Sequence, residues 1–270
     1  MSAVSDSHES MDFWSEIVGQ PAAVDALERA ASPGGELAHA WLITGPPGSG
    51  RSNLALRFAA ALTAREPGDR ERVFAQVRAR THPDVAVLTT QKVVIGIDDV
   101  RDIVTTAYYA PATGRHRVIV IEDADRMPER TSNVLLKALE EPPERTVWVL
   151  CAPSEADLLP TIRSRARSLR LITPAPADIA RLLHERDGAD VQLAERAARL
   201  AQSHIGMARR LASDPAALER REHRQLLDQD ARRLANRFLR RDDAVGLDVD
   251  DQAVQVGTLL DAGAFDLVAD

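Results

Sequence analysis

The sequence predicts an α/β fold, a doubly wound parallel sheet followed by an all-helical stretch. Three observations predict it. Short apolar runs alternate with helical patterns throughout 40–172. One run, Arg117-Val-Ile-Val-Ile121, is continuous and β-branched, as in a strand buried on both faces. A Gly/Pro-rich loop, 45–52, separates the first apolar run from a helical pattern.

The elements follow in order. Gln20 to Ala31 carries helical spacing, with Val24, Leu27 and Ala31 on one face. Ala40-Trp-Leu-Ile-Thr44 predicts a buried strand, and Ser52 to Ala64, rich in Ala and Leu, a helix. Arg65 to Arg80 is charged, with Pro67-Gly68 marking a turn. Asp84 to Thr89 predicts a strand, and Asp98 to Tyr108 a helix with Asp98 as N-cap. Pro128 opens the next helix, which Pro142-Pro143 stops after Glu141. Val147 to Leu150 predicts a strand, Leu158 to Arg163 a short helix, and Ser168 to Ile172 the last strand. At Thr173-Pro-Ala-Pro176 the composition changes, and the periodic segments beyond it are helical: 177–185, 190–203, 205–213 and 215–241. Domain boundaries therefore fall near 173 and near 213. Residues 1–11 predict a disordered leader. Residues 242–270 hold eight aspartates and no basic residue, and fit either a short helix or a frayed end.

Composition narrows the function. The chain has 270 residues, 44% of them hydrophobic, enough for a buried core in one or two domains. Only 4% are aromatic, which argues against an RNA binder that stacks bases. A net charge of −7 argues against a chain that holds nucleic acid by itself. Lys92 and Lys137 are the only lysines among 34 basic residues. That arginine bias suits ion pairs and phosphate contacts, though GC-rich coding DNA is the simpler account. The one cysteine, Cys151, lies in an apolar run and predicts a core thiol, so neither a disulfide framework nor a cysteine zinc site is expected. The start has no basic-then-apolar pattern, and no apolar run approaches a membrane span; the cytoplasm is expected.

Gly45-Pro46-Pro47-Gly48-Ser49-Gly50-Arg51-Ser52 follows a strand and opens a helix, which is the P-loop pattern in its proper context. Glycines let the backbone curl so that N–H groups converge, and the helix N-terminus adds its positive end, a cradle for nucleotide phosphates. Arg51 stands where the pattern has Lys. A planar fork does not occupy the space of a compact ammonium, so ATP binding is expected to be weak or lost. Val118-Ile-Val-Ile121 ends in Glu122-Asp123. In P-loop enzymes the first acid there helps hold Mg²⁺ and the second polarises water, in the order Asp then Glu. The reversed order lengthens one acid and shortens the other, and a catalytic base is sensitive to displacements of about an ångström. Polar caps on a strand end account for the pair equally well.

Ile17-Val18-Gly19-Gln20, the P-loop, the acidic strand end, Leu135-Leu136-Lys137-Ala138-Leu139-Glu140-Glu141-Pro142 and Ser164-Arg165-Ala166 occur in this order. With Thr81-His82-Pro83-Asp84, the series resembles the AAA+ subunits of bacterial DNA polymerase III clamp loaders over residues 12–212. The resemblance implies an AAA+ type P-loop domain with a doubly wound parallel sheet over 12–172, a small helical lid domain over 173–213 and a partial helical collar over 214–270. Of the family's two kinds of AAA+ subunit, gamma/tau hydrolyses ATP and keeps Lys and Asp-Glu. The delta-prime kind has an altered site and serves as a rigid stator. Arg51 and Glu122-Asp123 match delta-prime better.

The resemblance makes Arg165 an arginine finger that reaches into a neighbouring subunit's ATP site, where a guanidinium stabilises charge on the transferred phosphoryl group. Taken alone, Arg165 would be one surface arginine among Arg163, Arg167 and Arg170. Gly206-Met-Ala-Arg209-Arg210 is similar to the family's second sensor, with Arg209 facing the nucleotide pocket. Helices of the large domain would face DNA inside the ring, making Arg101, Thr131 and Ser132 candidates for phosphate contacts. Three departures stand out: no cysteines in the 63–80 stretch where the family has a zinc module, Ala166 in place of Cys, and a 214–270 segment smaller than the family's collar, either truncated or reduced. The implied partners are gamma/tau and delta subunits, the sliding clamp indirectly and primed DNA through the assembly, with no cofactor required of this chain. An ATP-hydrolysing gamma/tau-like subunit or related motor is the alternative, and a scaffold that assembles with nothing is a third.

Overall fold

The computed structural model describes residues 13–242; the leader expected over 1–11 and the acidic stretch from 243 lie outside them. Helix α1 (Pro21–Ala31) leads to β1 (Ala40–Thr44), then α2 (Arg51–Thr63) and α3 (Arg70–Arg78). Next come β2 (Val85–Leu88), α4 (Ile97–Ala107), β3 (Arg117–Ile121), α5 (Glu129–Glu140) and β4 (Thr146–Ala152). The short α6 (Pro160–Arg163) precedes β5 (Arg167–Arg170). Helices α7 (Pro176–Glu185), α8 (Val191–Leu200), α9 (Ile205–Ser213) and α10 (Pro215–Asp242) follow.

The five strands are parallel, in the order β2-β3-β4-β1-β5. β1, β3 and β4 are buried along their whole length, which is why they read as continuous apolar runs. One face packs Trp41, Ile43, Val118, Val120 and Val149 against α1 and α2; the other packs Leu42, Ile119, Ile121, Trp148 and Leu150 against α4 and α5. Alternate residues of one strand thus feed the two cores, the period-2 consequence of the pleat.

Two expectations are corrected. The segment 65–80 carries a 3₁₀ turn at Pro67–Asp69 and then α3, whose Val73, Phe74 and Val77 form a buried face within a polar sequence. Helix α4 is capped by Gly96, whose N–H donates to the Asp99 carboxylate at 3.2 Å, and Asp98 is the second helical residue.

Long-range polar anchors explain two motifs. The Gln20 amide clamps the backbone after β5, donating to Ile172 O at 2.7 Å and accepting from Ile172 N at 3.0 Å. Asp84 is fully buried and accepts from Ala112 N, Thr113 N, Thr113 Oγ1 and Gly114 N. Arg117 stands 3.6 Å away. Burial alone would raise the Asp84 pKa, but these hydrogen bonds outweigh it and hold the carboxyl below its ordinary value. The middle of the loop into β3, residues 112–114, is thereby tied to the residue just before β2.

The chain falls into two compact units, divided between Arg209 and Arg210. Helices α7 and α8 and the first turn of α9 belong to the same unit as the sheet, while α10 belongs to the second. Among the described residues no helix is long and apolar enough to cross a membrane.

Candidate functional site

The loop 45–50 leaves the C-terminal end of β1 and enters α2. Gly45 N donates to Pro153 O at 3.2 Å, and Thr44 O accepts from Leu171 N at 2.7 Å, so the loop starts pinned between the ends of β4 and β5. Gly48 and Gly50 have φ of +80° and +92°, the left-handed conformation that glycine adopts without strain. The sequence therefore folds here as its motif predicts.

Two side chains, Arg51 and His204, are directed onto the loop itself. Arg51 folds back, and its Nη1 donates to Gly45 O at 2.6 Å. The guanidinium braces the loop from within. His204, just before α9, packs onto Gly48: a Cβ built there would lie 2.5 Å from His204 Cγ. Ile205 N also reaches Gly48 O at 3.4 Å. The imidazole Nδ1 accepts from Met207 N at 3.2 Å, which places the neutral ring's proton on Nε2. Ser49 is buried and its hydroxyl has no hydrogen-bond partner, while Ser52 is exposed.

Glu122 and Asp123 stand at the end of β3, with β4 between them and the loop strand. Both acids are already paired. Arg80 Nη2 donates to Glu122 Oε1 at 3.2 Å. Arg126 lies 3.7 Å from Asp123, which is held at φ +53°. Cys151 lies on β4 in the same neighbourhood. Burial first, and then the charge of Glu122, push its thiol up to about 12. It is a core thiol with no nucleophilic character at neutral pH. As arranged, neither loop nor acids fit a magnesium-bound triphosphate: the loop's cation serves a loop carbonyl, an imidazole covers the second glycine, and each acid has an arginine.

Arg209 is bonded to Asp187, Nε to Oδ2 at 2.9 Å and Nη2 to Oδ1 at 3.2 Å, with Glu16 at 3.8 Å. Arg165 lies on the surface after α6. Its Nη2 donates to Glu140 Oε1 at 2.6 Å, and its Nη1 donates to Thr161 O at 2.7 Å and Ser164 Oγ at 3.3 Å. Arg101 is exposed on α4 and bonded to Asp98 at 3.0 Å. Thr131 and Ser132 require correction as phosphate contacts. They are 4% and 2% exposed, because the first turn of α5 packs them inward and Ser132 Oγ bonds Met127 O. Sequence reasoning missed Arg80, His204, Asp187 and Glu140. Each meets its partner across at least 22 residues of chain, which no local pattern signals. Arg126 could have been found from its i,i+3 spacing to Asp123.

The parallel sheet, the loop at the end of β1 and the acids at the end of β3 define an AAA+ type P-loop protein. The profile of the family described as DNA polymerase III, delta subunit, matches residues 19–175, and the chain belongs to that family. It is 36% identical over 152 residues to DNA polymerase III subunit delta' of Pseudomonas aeruginosa, covering 54% of this chain and 46% of that protein. It is 34% identical over 170 residues to DNA polymerase III subunit gamma/tau of Mycobacterium tuberculosis, covering 60% of this chain and 29% of that protein. The chain thus spans less than half the length of these relatives. A DNA polymerase III gamma subunit-related protein of Thermotoga maritima superposes with a TM-score of 0.52 at 26% identity, over 70% of this chain and 57% of that one. The Thermotoga maritima RuvB Holliday junction branch migration motor does so at 0.55 and 22% identity, over 73% and 62%, a likeness of fold alone.

Proposed function

We propose that this chain is a delta-prime type subunit of the replicative clamp loader. It hydrolyses no ATP itself, helps load the sliding clamp onto primed DNA, and supplies Arg165 as a finger to the ATP site of a neighbouring gamma/tau subunit. The observation that carries this reading is the 2.6 Å bond from Arg51 to Gly45 O, which commits the loop's one cation to the loop. The arginines on Glu122 and Asp123 support it, since paired acids are poor metal and water ligands. Arg165 keeps its guanidinium at the surface, as a group acting in trans must. No zinc and no bound nucleotide is required for this role. Contact with primed DNA runs through the assembly, with Arg101 as a non-specific phosphate contact.

The test is DNA- and clamp-stimulated ATP turnover by cognate gamma/tau and delta subunits, with this chain added as wild type or Arg165→Ala. The expected result is silence from the chain alone, stimulation by wild type, and at least a hundredfold smaller stimulation by Arg165→Ala, given that trans arginine fingers supply about 10³–10⁵ in rate. Turnover by the chain alone would establish the second reading, an ATP-hydrolysing gamma/tau-like subunit, which the 34% identity to gamma/tau favours. The same stimulation by both versions would remove the finger.

A further inference from the structure

We propose that Glu140 is the positioning residue for Arg165, holding its guanidinium in one orientation for use in trans. The proposal rests on the finger reading above. Glu140 is the last residue of α5, where Pro142-Pro143 prevents the helix from continuing. A carboxylate at a helix C-terminus faces the negative end of the dipole and is disfavoured there. The Arg165 guanidinium, 2.6 Å from Oε1, offsets that repulsion. The contact joins two segments separated by 25 residues, the end of α5 and the turn after α6.

The geometry favours holding over sequestering. Three hydrogen bonds fix the group: Nη2 to Glu140, and Nη1 to Thr161 O and Ser164 Oγ. Guanidinium has five N–H donors, so the Nε–H and one Nη2–H lie outside these bonds. The anchored end belongs to this chain, and the remaining donors can address a phosphoryl oxygen without breaking the hold. An unanchored arginine spreads over many rotamers, and misplacing a catalytic group by about an ångström can cost up to about a hundredfold in rate. Glu140 is 48% exposed, so replacing it leaves the core intact.

The experiment uses the reconstituted assembly with wild type, Glu140→Gln, Glu140→Ala, Glu140→Asp and Arg165→Ala. Stimulated turnover is measured as kcat and KM for ATP, beside assembly by gel filtration and the melting temperature of this chain. The expected result is a kcat lowered about tenfold by Glu140→Ala and less by Glu140→Gln, with KM and assembly unchanged, and partial recovery with Glu140→Asp. If Arg165→Ala abolishes stimulation while the three Glu140 variants match wild type, the positioning role is overturned and the finger stands. A higher kcat in Glu140→Ala would also overturn it, by showing that the carboxylate sequesters the guanidinium. If Arg165→Ala itself changes nothing, the finger reading falls and the proposal falls with it.

Discussion

Replacing Arg51 with Met decides what that guanidinium does. Met keeps most of the length and apolar stem but cannot donate to Gly45 O, so the 2.6 Å bond is lost. A hydrogen bond from a charged donor contributes about 1.5–3 kcal/mol, and Arg51 is only partly buried, so solvent screening discounts the lower end to about 1–1.5 kcal/mol. For a folded unit of this size each kcal/mol shifts Tm by about 2–4 °C, giving a drop of roughly 2–6 °C. Thermal unfolding followed by circular dichroism measures it. Calorimetric titration with ATP and Mg²⁺, run beside it, is expected to give the same weak or absent heat for both proteins. An unchanged Tm together with tighter nucleotide binding by wild type than by Arg51→Met would refute the reasoning, because the guanidinium would then face phosphate.

Other perturbations test the same region and its supports. Gly48→Ala places a Cβ 2.5 Å from His204 Cγ at a φ of +80°, and is expected to cost about 2 kcal/mol or more in urea unfolding; a neutral result would mean that His204 leaves the loop freely. Ser49→Ala removes a buried hydroxyl without a partner and is expected to raise stability by about 1 kcal/mol, so a loss of that size would reveal a partner for it. Asp84→Asn leaves the nearly buried Arg117 without its carboxylate and is expected to cost about 3–5 kcal/mol. Because the folded Asp84 pKa lies below 3.8, its contribution is complete above that pH and disappears as pH falls through the folded value. Wild type should therefore lose stability more steeply than Asp84→Asn below about pH 4. Equal slopes for the two would count against the buried carboxylate.

Much of the fold was legible because its signals are local. The strands at 40–44, 117–121 and 146–152 announce themselves by unbroken apolar runs, and the loop at 45–52 by glycines at the positions needing φ > 0. Helix α3 escaped because three large apolar residues in a charged nine-residue segment make a weak pattern, and burial against the core supplies the rest. Thr131 and Ser132 looked like ready phosphate contacts at a helix start, yet which face of that helix met the core depended on α4 and the sheet.

By itself, the sequence determined the order of the strands and of the helices other than α3, the loop that could cradle phosphate, the lone cysteine that leaves no disulfide framework, the replacement of Lys by Arg at position 51 and the reversed Glu122-Asp123 order. Only the tertiary structure decided where the charges go: Arg51 to Gly45 O, Arg80 to Glu122, Arg209 to Asp187 and Arg165 to Glu140. The physical reason is range. Hydrophobic periodicity and glycine conformation act over a few residues and survive in a linear reading. An ion pair depends on distance in space, and a chain with 34 basic and 41 acidic residues offers far too many pairings for spacing alone to choose among them.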